Sequence, residues 1–187
     1  MAGSLSTSVQ QGSGAMQIEL RKGLTLQPGT FNAVIASEKM MINALNTNAD
    51  LQRFLFLYVG GNYSRILSGI NRQSKNFDVR RAFTAHQLFT TLREAGHTVI
   101  FVEHDPSLFD GAMAMIEPVA GALKEAGRES LVILYTPVAD HMFSALARKA
   151  DRYIELIPVE PELNPIRTTR LMRQCGLCPN GQRTLEV

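Results

Sequence analysis

Apolar and polar positions alternate along this chain with two different periods. Short apolar runs bounded by turn residues lie at residues 31–36, 54–59, 98–102, 131–135 and 153–157. Their length and their Val, Ile, Phe and Tyr content predict buried strands. Between them the apolar positions recur at three- and four-residue steps: Leu88, Leu92 and Ala95 within 84–95, Met113, Ile116, Ala120 and Leu123 within 109–126, and Met142, Leu146 and Ala150 within 139–150. That spacing puts each set on one face of a helix, with Gly96 and Gly127 expected as C-caps. Strands alternating with helices predict an α/β fold of three layers, a mainly parallel central sheet flanked by helices.

Composition narrows the picture. With 187 residues, 45% of them hydrophobic and 19% charged, the chain is long and apolar enough for one domain with a sizeable core. A formal net charge of +2 does not by itself imply nucleic acid. No apolar run reaches the roughly 18 residues needed to span a bilayer, and no basic flank with an apolar stretch opens the chain as a secretory signal would. Two cysteines close together cannot build a disulfide framework. A soluble, cytoplasmic protein with no membrane partner is expected. Residues 1–15 are small and polar and read as a flexible tail. Residues 16–160 form the α/β domain. Pro158, Pro161 and Pro165 end the pattern, and 161–187 reads as a basic C-terminal extension holding Arg167, Arg170, Arg173 and Arg183 against Glu186.

The first long apolar run carries the main functional hint. Residues 26–36 read as a turn feeding a buried strand, and the chain continues Ser37-Glu38-Lys39-Met40-Met41-Ile42, with no glycine between Gly29 and Gly60. In a P-loop protein this strand would run into a glycine-rich loop whose successive amides curl around phosphate, followed by a Lys for the γ-phosphate and a Ser or Thr for Mg²⁺. Lys39 is the one lysine near that place, and Met40 after it cannot coordinate a metal. The loop is missing, which predicts binding or regulation in place of nucleotide turnover.

Four stretches resemble the RecA/RadA-type recombinase superfamily, most closely its archaeal and eukaryotic branch. Residues 76–88, with Arg81-Ala82-Phe83-Thr84 and His86-Gln87, resemble the segment opening the helix before the Walker B strand. Residues 54–65 look like the second strand and the turn after it, 97–109 are similar to the Walker B strand and its exit loop, and Ala150-Asp151-Arg152-Tyr153-Ile154 resembles a strand common in such ATPases. The resemblance covers roughly residues 26–157 and implies a RecA-like fold whose phosphate loop is degenerate. This sequence departs from the family pattern in lacking that loop, in carrying Gly60-Gly61 where catalytic members place a carboxylate, and in holding Glu103 where an Asp is usual.

Three functional expectations follow. The first is a non-catalytic RecA-like paralogue that serves as an assembly or regulatory module, as a homo-oligomer or with a RecA-like ATPase partner, in DNA recombination or repair. The second is an atypical NTPase in which Lys39, Glu103 and His104 hold ATP and Mg²⁺, with Glu103 as the catalytic carboxylate. Against it, Glu103-His104-Asp105 also reads as a strand end emerging into water, with Asp105-Pro106 opening a turn. The third is a dimer sharing zinc through Cys175 and Cys178, since one C-x-x-C supplies only two of the four ligands zinc needs. Two incidental thiols are the alternative. Arg65, Arg72, Arg80 and Arg81, with Arg167 and Arg170, offer a phosphate-tracking surface for DNA, with Tyr63 and Phe77 to stack on bases; a solvated, charge-balancing surface is the alternative.

Overall fold

The structure, a computed structural model, describes residues 17–157. A short antiparallel hairpin comes first, β1 (Ile18–Arg21) and β2 (Leu24–Leu26), turning at Gly23 with φ 84°. Then β3 (Thr30–Ala36), α1 (Glu38–Thr47), β4 (Phe56–Gly60), β5 (Phe77–Arg81), α2 (Ala85–Arg93), β6 (Val99–Glu103), α3 (Ile116–Ala126), β7 (Leu131–Thr136), α4 (His141–Ala147) and β8 (Arg152–Leu156) follow. Six strands form one sheet in the order β5-β4-β6-β7-β3-β8, every pair parallel.

The sheet is buried on both faces, which is why its central strands read as unbroken apolar runs. On one face lie α1, the hairpin and the chain after β4, packing Ile18, Leu26, Met41, Leu45, Ile66 and Ile70 against the sheet. The aromatic side chains of that face form a continuous stack. Phe77 lies over Phe56 with ring centroids 4.8 Å apart, and Phe101 meets Tyr58 at 5.4 Å and Tyr135 at 5.6 Å. On the other face α2, α3 and α4 cover Leu57, Val59, Ile100, Val102, Val132 and Leu134 with Leu88, Leu92, Val119, Leu123, Phe143 and Leu146. This is the three-layer α/β architecture that the alternating pattern implies.

Several local expectations need correction. The segment 76–88 does not simply open a helix. Its first part is β5, an edge strand whose positions are mostly exposed and carry no apolar run. Thr84 then starts α2 as its N-cap, accepting from the Gln87 amide. The expected helix over 109–126 is shorter, because Gly111 sits at φ 69° and two 3₁₀ turns, Pro106–Phe109 and Met113–Met115, precede α3. Gly96 lies two residues past the α2 C-cap, Glu94. Gly127 does cap α3, but with φ −65°, so no left-handed turn requires it. It is needed for space, since a Cβ there would lie 2.9 Å from Phe31 Cβ. Among the described residues no helix is long and apolar enough to cross a membrane. The expected tail 1–15, and Arg167, Arg170, Cys175 and Cys178 of the C-terminal extension, lie outside the described residues.

Candidate functional site at the carboxyl edge of the sheet

Ligands of open parallel sheets bind beyond the carboxyl ends of the strands, where loops from neighbouring strands converge. Here those ends bring together Ala36 of β3, Gly60 of β4, Glu103 of β6 and Thr136 of β7 with the loops that follow them.

The β3–α1 junction is one residue long. β3 ends at Ala36, Ser37 is the N-cap with its side chain accepting from the Met40 amide, and Glu38 already belongs to the helix. A phosphate cradle needs several consecutive amides free to curl around an anion, and this junction has no length for one. The first turn carries a carboxylate, Glu38, whose Oε1 lies 3.8 Å from Arg65 Nη1. Helix dipole and arginine thus meet a resident negative charge where an anionic ligand would have to sit. Lys39 points elsewhere: it is exposed and lines a shallow groove with Met40, Asn43 and Asn46, at helical spacing on the side of α1 away from buried Met41, Ala44 and Leu45. The residues present at the β3–α1 junction do not fit a nucleotide triphosphate.

Glu103 does not emerge into water. Only 3% exposed, it sits on the α1 face of the sheet, where its Oε2 accepts from the Tyr58 hydroxyl and its Oε1 from the Arg65 amide at 2.8 Å. Tyr58 is also 2.9 Å from Ser64 Oγ, and Ser64 accepts from the Leu67 amide, so the carboxylate anchors the whole turn after β4. Burial and the hydrogen bond to Glu103 push the Tyr58 phenol well above the ordinary tyrosine range. Tyr135 is pushed up as well, by burial and by the negative charges of Glu103 and Glu38, and its hydroxyl is buried with no hydrogen-bond partner among the described residues. Lys39 and Glu103 are therefore not brought together: one faces solvent on α1 and the other is consumed beneath the turn.

His104 belongs to the opposite face. Its side chain is 2% exposed, its Nε2 lies 3.0 Å from Asp140 Oδ2, and its ring meets Phe143 edge-on at 5.5 Å. Asp140 is the N-cap of α4, its Oδ1 accepting from the Phe143 amide at 2.7 Å. Burial raises the Asp140 carboxyl, but the Phe143 amide and His104 outweigh it and hold the group below the usual carboxylate range. The pair is a helix cap braced by a histidine, with no nucleophile bonded to it. We expect Asp140→Ala to cost about 1–2 kcal/mol of stability in urea denaturation, the range of a lost N-cap. Because the folded-state pKa is depressed, this contribution is present above the unfolded carboxylate value and disappears as pH falls through the folded one. The wild-type advantage over the variant should shrink in the acid limb, and an advantage that grew there would contradict the assignment.

Asp105 places a carboxylate against the Gly60-Gly61 turn. Its Oδ2 accepts from the Asn62 amide at 2.8 Å and its Oδ1 from the Ser107 amide and hydroxyl at 3.0 and 2.6 Å, pinning the β6 exit to the β4 exit. Gly61 makes room for it: a Cβ there would lie 2.5 Å from Asp105 Cβ and 2.7 Å from Cγ. Burial raises the Asp105 carboxyl, yet the Ser107 hydroxyl and the Ser107, Asn62 and Tyr63 amides together hold it below its ordinary value. Every one of these bonds is internal, so the group is a clamp.

The arginines are dispersed. Arg65 pairs with Glu38, Arg80 lies 3.8 Å from Glu94, and Arg81 Nη1 donates to the Asn62 carbonyl at 3.5 Å. Arg72 is exposed in the loop before β5. Tyr63 stands 84% exposed beside this group, whereas Phe77 is stacked on Phe56 and is not free for a base. Sequence reasoning missed Tyr58, Ser64, Tyr135 and Asp140. The reading of Asp105-Pro106 as the start of a turn agrees with the structure, where Asp105 caps the 3₁₀ turn Pro106–Phe109, although its bond to Asn62 was not foreseen; the tyrosines gave no signal, since they sit inside apolar strands.

No protein-family model matches the chain. A protein of Archaeoglobus fulgidus that bears the name "Uncharacterized protein" is 41% identical over 127 residues, a match covering 67% of this chain. The match spans 64% of that protein's length, a little under two thirds.

Proposed function

We propose that this chain is a non-catalytic relative of the recombinase-type ATPases that works by binding other macromolecules, as an assembly or regulatory module in DNA recombination or repair. The observation that carries the reading is the one-residue β3–α1 junction, with Ser37 capping the helix and Glu38 already paired to Arg65. It removes both the length and the positive field that a triphosphate requires. The reading requires a mainly parallel sheet flanked by helices on both faces, and the chain has one, with α1 on one face and α2, α3 and α4 on the other. Glu103, at the end of the strand resembling Walker B, has both carboxylate oxygens tied to Tyr58 and Arg65. That weighs against the NTPase reading.

The test is a calorimetric titration with ATP and Mg²⁺. No heat of binding is expected at millimolar nucleotide, and Lys39→Ala and Glu103→Gln should leave that result unchanged. Micromolar binding that is lost in Lys39→Ala would sink the proposal and make this an atypical nucleotide-binding protein. For the DNA element of the reading, Arg72 and Arg81, with exposed Tyr63, are the side chains to substitute. Arg65 and Arg80 are already paired to carboxylates.

A further inference from the structure

β5 is the edge of the sheet among the described residues, and its backbone groups divide cleanly. The Asn76 carbonyl accepts from the Phe56 amide at 2.8 Å and the Ala82 amide donates to the Gly60 carbonyl at 3.0 Å. Even-numbered positions therefore turn their backbone groups inward to β4, and Phe77, Val79 and Arg81 turn theirs outward. The Phe77 amide is taken by the Ser74 carbonyl at 3.3 Å. The Val79 amide and carbonyl, the Phe77 carbonyl and both backbone groups of Arg81 remain directed at the edge. An exposed row of this kind is a template for another strand unless something blunts it. β5 contains no proline and no bulge, its pairing with β4 runs in unbroken register from Phe77 to Arg81, and Val79 is 40% exposed; what blunts it against a strand of arbitrary sequence is charge, carried by exposed Asp78, Arg80 and Arg81.

The charges on β5 choose the occupant. Two copies of the strand can pair antiparallel about a two-fold axis in three registers that match outward groups with outward groups and overlap by three residues or more. The register centred on Asp78 sets Asp78 against itself, and the one centred on Arg80 sets Arg80 against itself; like charges directly opposite are destabilising. The register centred on Val79 is the third. It overlaps all five residues, places Asp78 of each copy opposite Arg80 of the other, and puts Arg81 opposite Phe77. Asp78 and Arg80 share the α2 face of the sheet, where Asp78 Oδ2 lies 2.9 Å from His97 Nε2 and Arg80 Nη1 3.8 Å from Glu94 Oε2; their side chains are 61% and 44% exposed, so the second oxygen of Asp78 and the other guanidinium nitrogens of Arg80 are the groups that would face across the edge. The Asp78–Arg80 positions are non-hydrogen-bonded pairs, in which opposed side chains approach most closely. Each Val79 amide would bond the Val79 carbonyl of the other copy, and each Arg81 amide the other copy's Phe77 carbonyl, with no existing backbone bond broken.

We propose that β5 is a self-complementary dimerisation edge, through which two copies of this chain join their six-stranded sheets antiparallel about Val79. The proposal rests on β5 alone and stands whether or not the chain binds nucleotide.

Sedimentation equilibrium of the full chain over roughly a hundredfold concentration range tests it, since association follows mass action. A monomer–dimer equilibrium is expected. Val79→Pro removes an outward amide and leaves the β4 ladder intact, because position 79 gives β4 no bond; it should weaken the dimer about tenfold or more with an unchanged circular dichroism spectrum. Arg80→Asp should weaken it by opposing two carboxylates, and the double change Asp78→Arg/Arg80→Asp should restore it. That rescue also serves if the proline variant fails to fold. A wild-type chain that stays monomeric throughout overturns the proposal. So does a dimer indifferent to Val79→Pro, a double variant as weak as Arg80→Asp, or a dimer that dissolves on chelation, which would point to metal held by Cys175 and Cys178.

Discussion

Replacing Glu103 by alanine should destabilise the domain by about 3 kcal/mol, the cost of two buried donors losing a charged acceptor. The Tyr58 hydroxyl and the Arg65 amide both point at this carboxylate from inside the fold. Tyr58 can turn its proton to Ser64, 2.9 Å away, whereas the Arg65 amide has no substitute. The turn that starts at Gly60 and brings Ile66 and Leu67 into the core would loosen with it. Glu103→Gln should be much milder, about 1 kcal/mol, because its carbonyl keeps the amide bond and the Tyr58 oxygen can accept from the new NH₂. Urea denaturation of the three proteins measures this. A Glu103→Ala chain as stable as wild type would mean that the carboxylate is held for chemistry and not for the fold.

The second large effect is expected at Gly61. Alanine there drives a methyl group into the Asp105 side chain, 2.5 Å from its Cβ. Backbone crowds both partners, since Asp105 is held by Asn62 on one side and Ser107 on the other. Relief requires the β4 and β6 exits to separate, and we expect a loss of about 2–3 kcal/mol, at the upper end for overpacking in a tight site. Gly96→Ala is the control: nothing lies within 4 Å of a Cβ there, and the change should fall within about 0.5 kcal/mol. The acid limb provides a second readout. Asp105 is held below its ordinary pKa by its hydrogen bonds, so it contributes stability above the unfolded carboxylate value of about 3.9 and loses it as pH falls through the folded value. Gly61→Ala should flatten that part of the stability–pH curve as well as lower it. A lowered curve with the wild-type acid slope would mean that the clamp survives and the strain lies elsewhere.

If both results hold, the carboxylates that gather at the end of β6 are structural, and the carboxyl edge of the sheet is held together by internal bonds. Glu38 and Arg65 neutralise one another at the start of α1, Glu103 ties down the turn after β4, Asp105 fills the space over Gly61, and Asp140 caps α4 against His104. Polar groups that would face a ligand in an open site instead satisfy one another. Tyr135 is an exception: its buried hydroxyl has no hydrogen-bond partner among the described residues, and Glu103 and Glu38 act on it electrostatically.

The hydrophobic pattern by itself determined the layered α/β architecture and five of the six sheet strands to within two residues. A strand buried on both faces must be apolar at every position, and a helix on a sheet must be apolar every third or fourth. The same logic hid β5: an edge strand with Asp78, Arg80 and Arg81 has no apolar run to announce it, and its membership depends on the β4 ladder. The absence of a glycine-rich loop after β3 was equally legible, because a phosphate cradle depends on local backbone freedom that residues 37–42 deny. What each carboxylate does was decided only by tertiary structure. Glu103, His104 and Asp105 are consecutive, but strand pleating sends Glu103 to the α1 face and His104 to the α4 face, and Asp105 turns back over β4. Their partners Tyr58, Asp140 and Asn62 lie 45, 36 and 43 residues away along the chain. Charge and hydrogen bonding act over a few ångströms in space, so a role that depends on such partners exists only once the sheet has assembled.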